Sequence, residues 1–289
     1  MIRSIFLYFM LVMYMFYSLN KKMKLGKIKK KGSQEEVQSY TYDCINGWAK
    51  FILKSMRAKI HMKGLENIPD GPCLFVSNHQ GFLDIPILIA SLDRTIGFIA
   101  KKEIKKVKII SYWMEQIKCI FIDRSNIRAS VRSINEGVKI LKNGHSLVIF
   151  PEGTRSKGPR IGEFKRGSMK LGLKSMVPIV PLAIDGSYKL REGNKHGNLK
   201  PADVNLTICK PIYPADLSKD EKENISEIIK KEIMKNIYLE NSTKKFISFY
   251  LNSNYILQED QYNGIYKEIL HYDIDYANFN IFAMFMYIF

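Results

Sequence analysis

Short apolar runs alternate along the middle of the chain with longer segments of mixed polarity. Read as buried strands, the runs fall at Cys73–Ser77, Ile96–Ala100, Lys118–Ile122, Ser146–Phe150, Pro178–Ile184 and Val204–Cys209. The segments between them predict helices over Asp84–Leu92, Lys101–Gln116, Asn126–Asn143, Lys165–Lys174 and Leu217–Leu239. Such alternation predicts a three-layer α/β domain, with a largely parallel or mixed sheet flanked by helices. One run, Val177 to Ile184, carries Pro178 and Pro181. Two prolines suggest an edge strand or a bulged start; a plain core strand is the other reading.

The N-terminal pattern is different. Ser4 to Leu19 is apolar and uncharged, and Lys21, Lys22, Lys24, Lys27, Lys29, Lys30 and Lys31 follow it. As a helix the apolar part spans about 24 Å, slightly under a bilayer core of about 30 Å. A cleaved signal peptide fits poorly, because Arg3 alone precedes the run and no small-x-small site ends it. The pattern predicts an uncleaved transmembrane anchor or a helix dipping into one leaflet, with the lysines holding the following domain on the cytoplasmic side. Glu35 to Lys63 predicts a further helix, with Tyr40, Trp48, Phe51, Ile52 and Met56 at near-helical spacing. It either lies in the membrane interface or packs on the core. The organisation expected is therefore a membrane-associating segment over 1–60, the α/β domain over 61–240 and a tail over 241–289. The tail ends in an apolar run, Phe279 to Phe289, too short to span a bilayer.

A net charge of +17 over 289 residues calls for an anionic partner, nucleic acid or an acidic membrane surface. The aromatic residues concentrate in the apolar N-terminus, the strands and the tail rather than among surface lysines, which argues against nucleic acid. A second basic cluster, Lys101, Lys102, Lys105, Lys106 and Lys108, falls on the expected helix after Ile96–Ala100. It offers charge to lipid headgroups or to the phosphates of another ligand, unless it is simply a solvated face. Cys44, Cys73, Cys119 and Cys209 show neither paired nor metal-ligand spacing, and the five histidines show no zinc-type spacing. No metal is expected.

The candidate chemistry begins at Asn78-His79-Gln80-Gly81-Phe82-Leu83-Asp84, directly after a predicted strand. An imidazole can accept a proton near neutral pH, and a carboxylate on its other nitrogen fixes the tautomer and stabilises the imidazolium. The bland alternative is that Asp84 caps the helix that Ile85-Pro86 begin. A second segment, Leu147 to Phe150, runs into Pro151-Glu152-Gly153-Thr154-Arg155-Ser156. Gly153 permits a tight turn, and Arg155 presents a fork of donors suited to phosphate. Lys165-Arg166-Gly167 follow with more positive charge.

Asn78-His79 with Asp84, then Phe121-Ile122-Asp123-Arg124, then Phe150 to Ser156, then Val177 to Pro181, resemble in order the four blocks of the glycerolipid acyltransferases. The likeness, over roughly residues 60–215, is greatest to the 1-acylglycerol-3-phosphate acyltransferases. It implies transfer of an acyl group from a thioester, acyl-CoA or acyl carrier protein, to the 2-hydroxyl of a lysophosphatidate, without a cofactor. His79 would be the general base and Asp84 its orienting partner. Arg124, Glu152, Gly153, Thr154 and Arg155 would hold the glycerol phosphate. Glu152 is awkward beside phosphate; a bond to a glycerol hydroxyl or bracing of the arginines suits it better. Val177, Pro178 and Pro181 would belong to the acyl-donor side. Glycerol 3-phosphate or another lysophospholipid as acceptor remains open, and so does a non-catalytic basic lipid- or nucleic-acid-binding module. The partners implied are membrane lipids and the acyl carrier.

Overall fold

The structure is a computed structural model, and its described residues are 2–123 and 126–252. The chain divides into two units, Met1–Ile237 and Tyr238–Phe289. Of the second, only helical backbone to Asn252 is described, so the Phe279–Phe289 run lies outside the described residues.

Seven strands form one sheet: β1 (Lys59–Lys63), β2 (Leu74–Ser77), β3 (Ile96–Lys101), β4 (Ile120–Ile122), β5 (Ser146–Ile149), β6 (Ile179–Asp185) and β7 (Asp203–Ile208). Their order is β1-β7-β6-β2-β5-β3-β4. All neighbours are parallel except β6 and β7. The helices are α1 (Ile2–Lys31), α2 (Gln34–Met56), α3 (Asp84–Ser91), α4 (Lys108–Gln116), α5 (Ile127–Lys142), α6 (Lys170–Ser175) and α7 (Lys219–Asn252).

The apolar runs read as strands because both faces of the sheet are covered, as parallel sheets require. Alternate side chains enter different cores. Phe75, Val148, Val180, Leu182 and Ile184 pack with residues of α2 and α3. Leu74, Val76, Leu147, Ile149, Ile179 and Ala183 pack with Leu141 of α5, Leu171 of α6 and the stripe Ile225, Ile229, Ile233 and Ile237 of α7. That stripe repeats every four residues, which keeps it on one helix face.

Several boundaries depart from expectation. The helix expected over Glu35–Lys63 stops at Met56. Ser33 and Glu36 close a capping box at its start, and Arg57 turns left-handed (φ 54°) at its end. Lys59–Lys63 then forms β1, an edge strand too polar and exposed to read as one. The helix expected over Lys101–Gln116 is broken. Lys102–Lys106 is a 3₁₀ segment, and only Lys108 of the basic cluster belongs to α4. Lys165–Lys174 is likewise split, into 3₁₀ Arg166–Met169 and α6.

β6 is not an edge strand, since it lies between β7 and β2. Pro178 precedes it, and Pro181 falls in a break of the ladder toward β7, between the isolated Ile179–Ile212 bridge and the first β7 pair, Leu182–Ile208. The Pro181 carbonyl accepts from Cys209 N (2.9 Å) on that side, so the missing N–H falls where no ladder bond is needed.

The transmembrane expectation for residues 4–19 fails: among the described residues no helix is long and apolar enough to cross a membrane. The apolar run continues without a break into the lysine cluster as α1, and one side of α1 is covered by the domain. Leu7 and Leu25 are buried, Leu199 N donates to Ser4 Oγ (3.0 Å), and Arg3 donates to Met56 O (3.3 Å). The other side leaves Ile5, Phe6, Phe9, Val12, Met13 and Phe16 exposed at helical spacing. α2 packs on α1 and α3, with Ala49, Ile52, Leu53 and Met56 in the core, so of its two readings core packing is the one observed.

Candidate active site

β2, β3, β4, β5 and β6 all run in one direction. Their carboxyl ends therefore share one edge of the sheet, the edge where α/β proteins bind ligands. Asn78-His79 leaves β2 there, Phe150-Pro151-Glu152 leaves β5, and Gly186-Ser187 leaves β6. Asn78 ties the first to the last: its side chain donates to Ile184 O and accepts from Ile184 N, both at 2.8 Å.

His79 is held on every side but one. Its Nδ1 donates to Asp84 Oδ2 at 2.7 Å, since a carboxylate can only accept. Its ring stacks on Phe150, with centroids 4.0 Å apart and planes inclined by 17°. Its backbone N–H donates to Glu152 Oε1 (2.7 Å), and its carbonyl accepts from Ser156 N (2.8 Å). Among the described residues no group bonds Nε2, and 15% of the side chain is exposed. Asp84 is fully buried. It does not cap α3, where Leu83 is the N-cap without a side-chain bond. Instead Oδ2 takes His79 Nδ1 and Gly81 N (2.9 Å), while Oδ1 takes the hydroxyl of Ser187.

The loop after β5 is sewn to the loop after β2. Besides the bonds to His79, Lys157 N donates to Gln80 O (3.1 Å). Gly153 adopts φ 72°, which glycine alone takes without strain, and its N–H closes the turn onto Phe150 O rather than facing a ligand. Glu152 is buried and braces backbone, not arginine: Oε1 takes His79 N and Oε2 takes Gly162 N (2.8 Å). Burial pushes its carboxyl pKa up, and the two N–H donors pull against that shift. Thr154 is exposed, and Ser156 spends its hydroxyl on Gly158 O. Arg155 Nη1 donates to Glu192 Oε1 at 2.8 Å, and about a third of its side chain is exposed.

Two groups of expected residues stand elsewhere. Arg124 lies outside the described residues, although its neighbour Asp123 pairs with Lys102 (2.6 Å). Val177 and Pro178 lead into the amino end of β6, the far edge of the sheet from His79, and Pro181 pairs with Val76 inside the sheet. Val177 and Pro181 are buried.

The turn that follows β6 holds the residues sequence reasoning missed. Ser187 is fully buried on Asp84, Gln80 Oε1 accepts from Gly186 N (2.9 Å), and Glu192 joins Arg155 to Phe82 N (2.9 Å). An acidic residue shortly after an apolar strand was the only available signal for Glu192.

A family model described as Acyltransferase matches residues 59–185. A probable 1-acyl-sn-glycerol-3-phosphate acyltransferase of Mycoplasma pneumoniae is 34% identical over 187 residues, which are 61% of this chain and 70% of that protein. The chain belongs to the 1-acyl-sn-glycerol-3-phosphate acyltransferase family. A chloroplastic family member from Brassica napus is 40% identical over 170 residues, 57% of this chain and 49% of its own length. The chain thus spans about half the length of the plant relatives it matches. The crystal structure of the 1-acyl-sn-glycerophosphate acyltransferase from Thermotoga maritima superposes with a TM-score of 0.73 at 26% identity, covering 83% of this chain and 95% of that one. The acyltransferase match ends at Asp185, so Ser187 and Glu192 lie beyond it.

Chemically, the arrangement offers one imidazole nitrogen to solvent, backed by a buried carboxylate, with a partly exposed guanidinium on the adjoining loop. That set can take a proton from a hydroxyl while an anion is held nearby.

Proposed function

We propose that this protein transfers a fatty acyl group from an acyl thioester to the 2-hydroxyl of 1-acylglycerol 3-phosphate, giving phosphatidate. The observation that carries the reading is the orientation of His79: Nδ1 is committed to buried Asp84, and Nε2 is left without a partner among the described residues. Nε2 takes the hydroxyl proton as the oxygen attacks the thioester carbonyl. The tetrahedral intermediate expels the thiolate, and the imidazolium returns the proton to it. Asp84 stabilises that imidazolium and, with Phe150 behind the ring, keeps Nε2 aimed outward. Arg155, joined by Arg124, grips the phosphate. Glu152 and Gly153 shape the loop that carries Arg155 and hold the backbone of His79. No acyl-enzyme is required; all four cysteines are buried, and burial pushes Cys119 and Cys209 up to about 12.

The bare apolar side of α1 supports a seat on the membrane surface, where a lysophosphatidate resides. Exposed apolar side chains on the first half of α1, with lysines on its second half, suit an interface with anionic lipid. The alternative acceptors, glycerol 3-phosphate or another lysophospholipid, use the same base and the same clamp.

Purified protein assayed with lysophosphatidate, glycerol 3-phosphate, lysophosphatidylcholine and monoacylglycerol, each with acyl-CoA and acyl carrier protein, tests the reading. Lysophosphatidate is expected to be the preferred acceptor, and His79→Ala is expected to abolish turnover while leaving vesicle binding intact. Acylation confined to the phosphate-free acceptor, or full turnover by His79→Ala, refutes it.

A further inference from the structure

Glu192 lies beyond the residues matched by the family model, yet it touches both halves of the site. Its side chain is only 5% exposed. Oε1 accepts from Arg155 Nη1 (2.8 Å) and from Phe82 N (2.9 Å), with Arg191 Nη1 at 3.6 Å. Arg191 is itself tied to α1, its Nε donating to Tyr8 OH at 3.0 Å. Oε2 is buried with no hydrogen-bond partner among the described residues, which is uncommon for a carboxylate. The carboxylate reaches this depth because residue 81 is glycine. A Cβ there would fall 2.7 Å from Oε2 and 3.3 Å from the carboxyl carbon.

Phe82 belongs to the turn between His79 and Asp84, whereas Arg155 comes from the loop after β5. One oxygen therefore fixes the backbone of the base's turn against the guanidinium of the anion clamp. Arg155 is about a third exposed on a flexible stem, and no other acceptor bonds it among the described residues. Without Glu192 its fork is free to swing into solvent. A charge-assisted bond to a buried carboxylate holds one nitrogen and leaves the remaining donors pointing in a set direction.

We propose that Glu192 is a positioning residue: it orients Arg155, the anion clamp, from a fixed point on the turn that carries Phe82. The proposal rests on the reading of Arg155 as phosphate ligand given above. It assigns Glu192 no contact with substrate and no part in proton transfer.

The test is steady-state kinetics with lysophosphatidate for the wild type, Glu192→Gln, Arg155→Ala and the double variant. Glu192→Gln keeps the shape and removes the charge. Its KM is expected to rise about tenfold, the scale of one charge-assisted hydrogen bond. Its kcat is expected to stay within about threefold, since ground-state and transition-state binding are lost together. In the Arg155→Ala background the same substitution is expected to change KM by less than about twofold, because a residue that acts through Arg155 has nothing left to orient. Glu192→Asp retains the charge but is one methylene too short to reach Phe82 N and Arg155 together. It is expected to raise KM as Glu192→Gln does, and it serves if Glu192→Gln does not fold. A folded variant with unchanged KM, a loss in kcat alone, or losses that multiply in the double variant overturns the proposal. Wild-type protein inert toward lysophosphatidate overturns the parent reading and this one with it; an active wild type with unaltered variants overturns this one alone.

Discussion

Replacing Asp84 by asparagine keeps the volume of a fully buried side chain and removes its charge. The carboxylate accepts from three groups: His79 Nδ1 at 2.7 Å, Gly81 N at 2.9 Å and the Ser187 hydroxyl. An asparagine has one acceptor oxygen for these three donors, and its amide N–H₂ must face one of them. If it faces His79, the imidazole is driven to the tautomer with its proton on Nε2, which can no longer take a proton from substrate. If it does not, the imidazolium still loses its counter-charge. Opposite unit charges about 4 Å apart attract by roughly 4 kcal/mol at an effective dielectric of about 20. At about 1.4 kcal/mol per decade that corresponds to a fall of about 10³ in kcat, inside the range of about 10²–10⁴ ascribed to a positioned base. The KM for lysophosphatidate is expected to change little, because Arg155 is untouched. Single-turnover acylation measures the effect, with a thermal melt to show that the variant is folded. A folded Asp84→Asn protein that retains more than about a tenth of the wild-type rate refutes the assignment of His79 as general base.

Three other perturbations follow from the structure. Glu152→Gln sets an amide N–H₂ against either His79 N or Gly162 N, both of which need acceptors, so kcat is expected to fall with the loop disturbed. The raised carboxyl of Glu152 also sets a pH signature: the folded state binds this proton more tightly than the unfolded chain does. That contribution to stability is fully present below the usual value of 4.5 and is lost as pH rises through the raised one. Urea midpoints of the wild type relative to Glu152→Gln are therefore expected to decline across the acid range, and a difference that grows with pH contradicts the assigned direction. Phe9→Asp with Phe16→Asp alters exposed positions of α1 and is expected to leave the melting temperature nearly unchanged. Losing two side chains worth about 1.5–3 kcal/mol each should cut co-sedimentation with anionic vesicles more than tenfold; unchanged vesicle binding removes α1 from the membrane contact.

The parts legible in the sequence are those fixed by local physics. β2, β5 and β6 announce themselves because a strand covered on both faces must be apolar throughout. His79 and Asp84 are five positions apart in one turn, and their pairing needs only that turn. β1 was hidden by its exposed edge position, and its Lys-Ile-His-Met-Lys pattern merged with the preceding helix. The break at Lys102–Lys106 carries no proline or glycine to mark it. The role of Glu152 was misjudged because its partners are backbone N–H groups, which are the same in every residue and leave no trace in composition. Ser187 and Glu192 were out of reach for another reason: they meet Asp84 and Phe82 across 103 and 110 positions, and only the return of β6 alongside β2 brings them there.

That return has a consequence for biogenesis. As the chain leaves the ribosome, the imidazole emerges early, but the strand that delivers its supporting hydroxyl and the anchor of its arginine is translated more than a hundred codons later. A polypeptide that stops short of β6 keeps the turn that pairs His79 with Asp84 but lacks Ser187, the third donor to that carboxylate, and Glu192, the acceptor for Arg155. Both of these late supports reach the base's turn only through the pairing of β2 with β6.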